Sequence, residues 1–277
     1  MTTSVSAPRT GGSSPVAAGR ARGLGLVTHQ LRYEQKAYWR NPAAAFFTLV
    51  FPLMFLVLFA SLNQGKTAQI SPGHTISYNQ YFVPSILTFG IIGACYSNLA
   101  MILADRRSTG YLKRKRATPL PAWALISGMI ASSIVLSVLL TAITFGTGLA
   151  FYGVHLAATR IPAITVALVL GAACFCALGI ALQTFIPNDD AAPAIVNASL
   201  LPLTFISGVW FPVGNDSGLA KVADFFPVRH FVKALFEATN GAGTGGFAGP
   251  DLAWLTGWLL LGTAVALRRF RWEPGRR

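Results

Sequence analysis

Long apolar runs alternate with short polar stretches along this chain, and the runs have lengths that suit a bilayer. Six can be read, at about Ala43 to Ser61, Phe82 to Leu103, Ala124 to Tyr152, Ile164 to Ile186, Ala191 to Phe211 and Leu252 to Leu267. About 20 apolar residues in a helix cross a hydrocarbon core of about 30 Å. The third run is long enough to tilt or protrude. The sixth is short and leans on Arg268 and Arg269, whose stems can snorkel to the interface. The pattern predicts an all-α integral membrane protein with six transmembrane helices.

Two flanking patterns add to this. Before the first run, Leu24, Val27, Leu31 and Tyr38 share one helical face, with Arg32, Glu34 and Lys36 elsewhere. Trp39 marks the headgroup level and Asn41-Pro42 breaks the helix, which predicts an N-terminal helix lying in the membrane interface. Between the fifth and sixth runs, Leu219, Val222, Ala223 and Phe226 recur at helical spacing, and Phe231 to Phe236 continue after Pro227. These predict short helices dipping back into the outer leaflet as a re-entrant segment, with Gly241 to Gly249 as a flexible connector. The first 20 or so residues lack the apolar core of a signal peptide. Residues 1–22 read as a disordered tail, 23–271 as one transmembrane domain and 272–277 as a basic tail.

Composition agrees. The chain is 53% hydrophobic and 11% charged, against about 25% charged for soluble domains. A net charge of +13 first suggests nucleic acid, but its distribution argues otherwise. Of the 22 Lys and Arg, 17 lie in the N-terminal segment, the Asp105–Pro121 loop and the C-terminal tail, all on one side of a six-span chain. The other five are Lys66, Arg160, Lys221, Arg229 and Lys233. The positive-inside rule places both termini and the basic loop in the cytoplasm of a multi-pass protein in the cell inner or plasma membrane. The charge needs no nucleic-acid partner.

The densest charge lies at Asp105–Pro121, DRRSTGYLKRKRATPLP, with Arg106, Arg107, Lys113, Arg114, Lys115 and Arg116. Thr109-Gly110 reads as a turn, Tyr111 and Leu112 follow, and Thr118-Pro119 stops the segment. Such a loop suits the grip of a cytosolic partner. The second cytoplasmic connection carries Asp189 and Asp190, which either cap the fifth span or meet that partner. No catalytic constellation is present: His29, His74, His155 and His230 are scattered. The spans hold no Asp, Glu, Lys, Arg or His, which counts against a proton- or ion-driven carrier. Cys95, Cys174 and Cys176 read as packing residues.

Ala60 to Thr67, ASLNQGKT, imitates a phosphate-binding loop, but that motif needs a strand before it and a helix after it. Here an apolar span precedes it, on the outer side. If ATP is used, another chain hydrolyses it. Ser97, Asn98, Thr141, Thr144, Gln183, Asn197, Ser199 and Thr204 are uncharged polar residues within spans that must face protein or a cavity. Asn98, Asn197, Ser199 and Thr204 are the candidates for lining a route. Gly171 and Gly179 permit close helix packing.

Two motifs resemble those of a known family. Asp105 to Arg114, followed by Ala117-Thr118-Pro119-Leu120, resembles the first cytoplasmic loop of ABC-2 type exporter permeases. Ser207-Gly208-Val209-Trp210-Phe211-Pro212, then Phe226-Pro227 and Val228–Leu235, resembles that family's signature after the fifth span. Within the family the look is of daunorubicin-resistance-type drug permeases, over about Leu24 to Arg271.

The resemblance implies an ATP-driven export subunit that pairs with a second six-helix permease, each resting on a cytosolic ABC ATPase that holds the ATP and magnesium. It implies that the interfacial helix and basic loop pass motion from ATPase to spans, through Asp105, Arg106, Arg107, Thr109, Gly110, Tyr111, Leu112, Lys113, Arg114, Thr118 and Pro119, with Asp189 and Asp190. It further implies that spans two and five line the route, and that Ser207, Gly208, Phe211, Pro212, Phe226 and Pro227 form an outer gate. Arg107 stands where the family often has an acid, Lys115 where it often has an apolar residue, and Ser217-Gly218-Leu219 where it often has Leu-Pro.

The expected cargo is a hydrophobic or amphipathic drug, antibiotic or lipid. A polysaccharide or lipid-linked glycan is the alternative, as is a non-transporting scaffold.

Overall fold

The computed structural model describes residues 15–71, 74–116, 121–212, 218–241 and 245–269. In chain order the helices are α1 (Pro15–Trp39), α2 (Pro42–Leu62), α3 (Tyr78–Ser108), α4 (Tyr111–Arg116), α5 (Ala122–Phe151), α6 (Ile161–Gln183), α7 (Ala192–Ile206), α8 (Gly218–Ala223), α9 (Pro227–Asn240) and α10 (Gly249–Arg269). A small antiparallel hairpin, β1 (Thr67–Ser71) and β2 (His74–Ser77), joins α2 to α3, with Thr67 opposite Ser77 and a bulge between Gln69 and Ser71.

Local chemistry sets many of the helix starts. The Asn41 side chain accepts from the Ala44 N–H at 3.2 Å while Pro42 opens α2, a cap followed by a residue with no N–H to lose. Ser77 caps α3 in the same way, accepting from Asn79 N–H at 3.2 Å. Prolines also open α6, α7 and α9.

Among the described residues, five helices are long and apolar enough to cross a membrane: α2, α3, α5, α6 and α10. The run expected as the fifth span is shorter. Its helix, α7, has 15 residues and reaches about 22 Å. The chain leaves it at Ser207-Gly208, where Gly208 takes φ +85, a conformation that favours glycine. α10 begins earlier and ends later than the Leu252–Leu267 run.

The core is built on α3 and α6. Val83, Ile86, Leu87, Ile91, Cys95 and Leu99 of α3 meet Leu56, Leu140, Phe175, Phe231 and Leu235 in one buried cluster. Gly179 lets α6 come close to α3: a Cβ there would stand 2.7 Å from the Tyr96 carbonyl oxygen. α10 packs along α6, and α1 lies along α5.

Several expectations change. α1 starts at Pro15, inside the stretch read as tail; residues 1–14 and the basic tail 272–277 lie outside the described residues. The buried stripe of α1 is Gln30, Glu34 and Tyr38, with Val27 and Leu31 half-buried and Leu24 exposed. These polar residues face inward because Glu34 meets Arg106 of α3 and Tyr38 the Ala44 carbonyl of α2, with Gln30 bonded to Glu34. In the outer segment Ala220 and Ala223 of α8 are buried, while Leu219 and Val222 are exposed; the small side chains let α8 sit close. At Ala60–Thr67 a helix precedes the motif and a strand follows, the reverse of a phosphate-binding loop.

Candidate functional site

Two regions carry candidate function: a polar groove between α2, α3 and α7, and the charged end of α3.

The groove has a cavity volume of about 460 Å³ and is lined by Phe47, Phe51, Phe89, Asn41, Thr48, Ser97, Asn98 and Asn197, among others. None of its lining residues is charged. Asn98 and Asn197, expected on a shared route, both line this cavity although they lie on different helices. Ser199 and Thr204 do not join them. The Ser199 and Tyr96 hydroxyls are hydrogen-bonded at 2.8 Å, and the buried Thr204 hydroxyl donates to Leu201 C=O at 2.9 Å and accepts from the Trp210 indole at 3.4 Å. Ser199 therefore stitches α7 to α3, the commoner use of such groups among packed spans, while Thr204 holds the Trp210 turn against the end of its own helix.

Both π-helical segments among the described residues flank this groove. One is Phe46–Val50 in α2, the other Gly93–Ser97 in α3. Each widens the helix by one residue per turn, and such bulges gather at functional sites. Phe47, Thr48, Gly93 and Ser97, two from each segment, line the cavity.

An aromatic layer adjoins the groove. Trp210, buried, packs its ring 4.9 Å from Phe89 and 5.0 Å from Phe55 (centroid to centroid), with Phe59 and Phe205 close by. Trp210 was part of the sequence motif but not of the expected gate. The six gate residues divide into two groups. The Tyr81 hydroxyl donates to the Gly208 carbonyl, holding the Ser207–Pro212 turn against α3; Ser207 is buried and Phe211 exposed. Phe226 instead stacks on Trp258 of α10 at 6.4 Å, and Pro227 opens α9.

At the charged end, Arg106 donates from both terminal nitrogens to the two Glu34 oxygens, at 2.7 and 2.6 Å. Gln30 donates to the same carboxylate at 3.0 Å. The Arg106 guanidinium also lies 5.1 Å from the centre of the Tyr111 ring. Burial pushes the Tyr111 hydroxyl up to about 12, against the opposing charge of Arg106. A bidentate pair of this kind is geometrically specific, so α1, α3 and α4 are held in one arrangement. Gln35 adds a bond from α1 to the Ser132 hydroxyl of α5 at 2.9 Å.

The other coupling candidates scatter by burial. Arg107 is buried and donates to the Gln183 and Ile186 carbonyls, a cation on the carboxyl end of α6. That is an internal latch, and its place explains how a base is accommodated where the resembling family often has an acid. Leu112 is fully buried, while Asp105, Thr109, Lys113 and Arg114 are exposed. Thr109-Gly110 makes the expected turn, with Gly110 at φ +68 and the Thr109 hydroxyl donating to the Asp105 carbonyl at 2.8 Å. Thr118 and Pro119 lie outside the described residues, as does Ser217. Asp189 and Asp190 are exposed, and α7 is approached by the Asn188 side chain, which accepts from Ala191 N–H at 2.9 Å. The acids are thus not the cap.

Glu34, Gln30, Asn41 and Trp210 were not among the expected site residues. A lone Glu within a basic helix was the available signal for Glu34.

Membrane-length helices enclosing an uncharged polar groove define a multi-pass membrane protein of transport type. The chain matches the family described as ABC-2 type transporter over residues 27–239, and it belongs to that family. It is 23% identical over 220 residues to YvfS of Bacillus subtilis (strain 168), whose name describes a transport permease; the match covers 79% of this chain and 87% of that protein. It is also 23% identical over 168 residues to the inner membrane transport permease YadH of Escherichia coli (strain K12), covering 59% of this chain and 64% of YadH. The chain is therefore a membrane permease subunit of an ABC transporter, a family whose nucleotide site is carried by a separate ATPase.

Proposed function

We propose that this permease exports a hydrophobic or amphipathic compound through the groove between α2, α3 and α7, driven by ATP hydrolysed on a cytosolic partner. The observation that carries the reading is the pairing of two π-helical segments around one cavity that holds Asn98 and Asn197 and no charge. Carboxamides orient a polar end of the cargo, while Phe47, Phe51 and Phe89 receive its apolar part. No Trp or Tyr lines the groove, which favours an apolar cargo over a glycan, whose sugar faces stack on such rings.

In this reading a second six-helix permease closes the open side of the groove. α7 and the turn to Pro212 together serve as the fifth of six spans, α8 and α9 re-enter the outer leaflet, and α1 lies in the inner interface. Both termini and the α3–α4 turn are cytoplasmic. The exposed Lys113, Arg114 and Asp105 meet the ATPase, which holds ATP and magnesium, and the Glu34–Arg106 clamp transmits its motion to α3.

The test is co-purification in mild detergent from native membranes, followed by reconstitution in vesicles with the ATPase recovered. ATP-dependent movement of an amphipathic dye, weakened in Asn98→Leu and Asn197→Leu, supports the proposal. Recovery of the chain with no ATPase, or transport driven by a proton gradient without ATP, defeats it.

A further inference from the structure

A second cavity, of about 300 Å³, opens between α6, α7 and α10 and is separate from the groove. Its walls are Phe175, Leu178 and Leu182 of α6, Leu200 and Leu203 of α7, and Leu261 and Val265 of α10. Phe226, Pro227 and Trp258 close one end. Its rim is exposed at Phe185 and Leu261, and α10 is the least buried of the five long apolar helices, so the crevice faces lipid. No charged residue lines it. At the end opposite Trp258, Arg269 stands 4.9 Å from the centre of the Phe185 ring, with Arg268 beside it in the chain.

The depth is informative. Trp258 to Arg269 is about 16 Å along the helix, close to half of a hydrocarbon core of about 30 Å. The crevice thus runs from one interface to the bilayer centre, the reach of one acyl chain in one leaflet. An acyl chain gains nothing in hydrophobic free energy by moving from bilayer to crevice, because both are apolar. Retention must come from packing and from the cation at the mouth, whose planar fork suits a phosphate.

We propose that this crevice holds one acyl chain of an anionic phospholipid, with its phosphate received by Arg269. The lipid fills the gap between the short helix α7 and the pair α6 and α10, and so serves as part of the fold. The proposal does not depend on the cargo or on the direction of transport.

The test is native mass spectrometry of the full chain in detergent, titrated with phosphatidylglycerol or with phosphatidylcholine. Wild type should retain phosphatidylglycerol more strongly. Arg269→Gln should reduce that retention about fivefold, to the level of the neutral lipid. Val265→Trp, which fills the crevice, should reduce retention of both. Equal retention of the two lipids by wild type overturns the proposal, as does indifference to either substitution. Should a variant fail to fold, wild type is irradiated with phosphatidylglycerol carrying a diazirine in its acyl chain. Labelling of the crevice walls of α6, α7 and α10 supports the assignment; labelling confined to the groove of α2 and α3 shows an apolar ligand of the transport route and overturns it.

Discussion

Arg106 meets Glu34 through two parallel hydrogen bonds of 2.7 and 2.6 Å, with side chains only 12% and 5% exposed. The pair joins the end of α3 to the C-terminal part of α1, and Gln30 and Tyr111 complete its surroundings. Removing one partner strands the other charge in a site already taken from water, which costs about 3–5 kcal/mol for buried pairs. Glu34→Ala and Arg106→Ala should each lower the unfolding midpoint in detergent markedly. The double variant should lose less than the two single losses combined, because no charge is left stranded. Additive losses in such a cycle would show that the pair does not act as a unit.

The approach of α6 to α3 rests on Gly179. A methyl group there meets the Tyr96 backbone carbonyl at 2.7 Å, and backbone cannot swing aside as a side-chain end can. Gly179→Ala should destabilise by about 1–3 kcal/mol, as overpacking does. Gly146→Ala is the control: it has open space and a helical position where alanine is favoured by about 0.5–1 kcal/mol. Thermal unfolding of both variants in one detergent checks the contrast.

Asn98 and Asn197 are half-buried and exposed, respectively, on the groove wall. Neither has a hydrogen-bond partner among the described residues, so Asn98→Leu and Asn197→Leu should leave the unfolding midpoint near wild type. On the proposed route each substitution removes one hydrogen bond to cargo, worth about 0.5–1.5 kcal/mol, and apparent cargo affinity should fall about two- to tenfold. Cargo-stimulated ATP hydrolysis by the reconstituted complex measures it. A loss of stability with unchanged stimulation would place these residues in packing instead.

Asp224 accepts from Arg229 at 2.8 Å and from Lys233 at 2.6 Å. Partial burial acts to raise its carboxyl, but the bond and charge of Lys233, then those of Arg229, outweigh this and hold it below the ordinary value of 3.8. Its contribution to stability is therefore complete above that value and is lost as pH falls through the depressed one. The effect is modest, since Asp224 is partly exposed and water screens the pair. Unfolding midpoints followed from pH 5 downward should fall less in Asp224→Asn than in wild type. Parallel curves for the two proteins would refute it.

Much of this protein was legible in its residues taken alone. The five long helices lie where the apolar runs fall, because partition into hydrocarbon is a sum over local side chains that needs no knowledge of neighbours. The Thr109-Gly110 turn was equally readable, since a backbone at positive φ favours glycine whatever surrounds it. The placing of Asn98 and Asn197 on one cavity wall was partly readable: uncharged polar groups in lipid must face protein or a cavity, but their faces had to be observed.

Tertiary structure alone decided the rest. Glu34 finds Arg106 across 72 residues of sequence, and Arg107 finds its carbonyls across 76 and 79. No local pattern reveals such partners, so an amphipathic reading of α1 put Glu34 away from the apolar face. The short α7, the flanking of one groove by two π segments and the crevice beside Arg269 arise in the same way. Hydropathy along a chain determines which segments leave water; which side chains face one another is decided by how the helices pack and by the need to satisfy every polar group they bury.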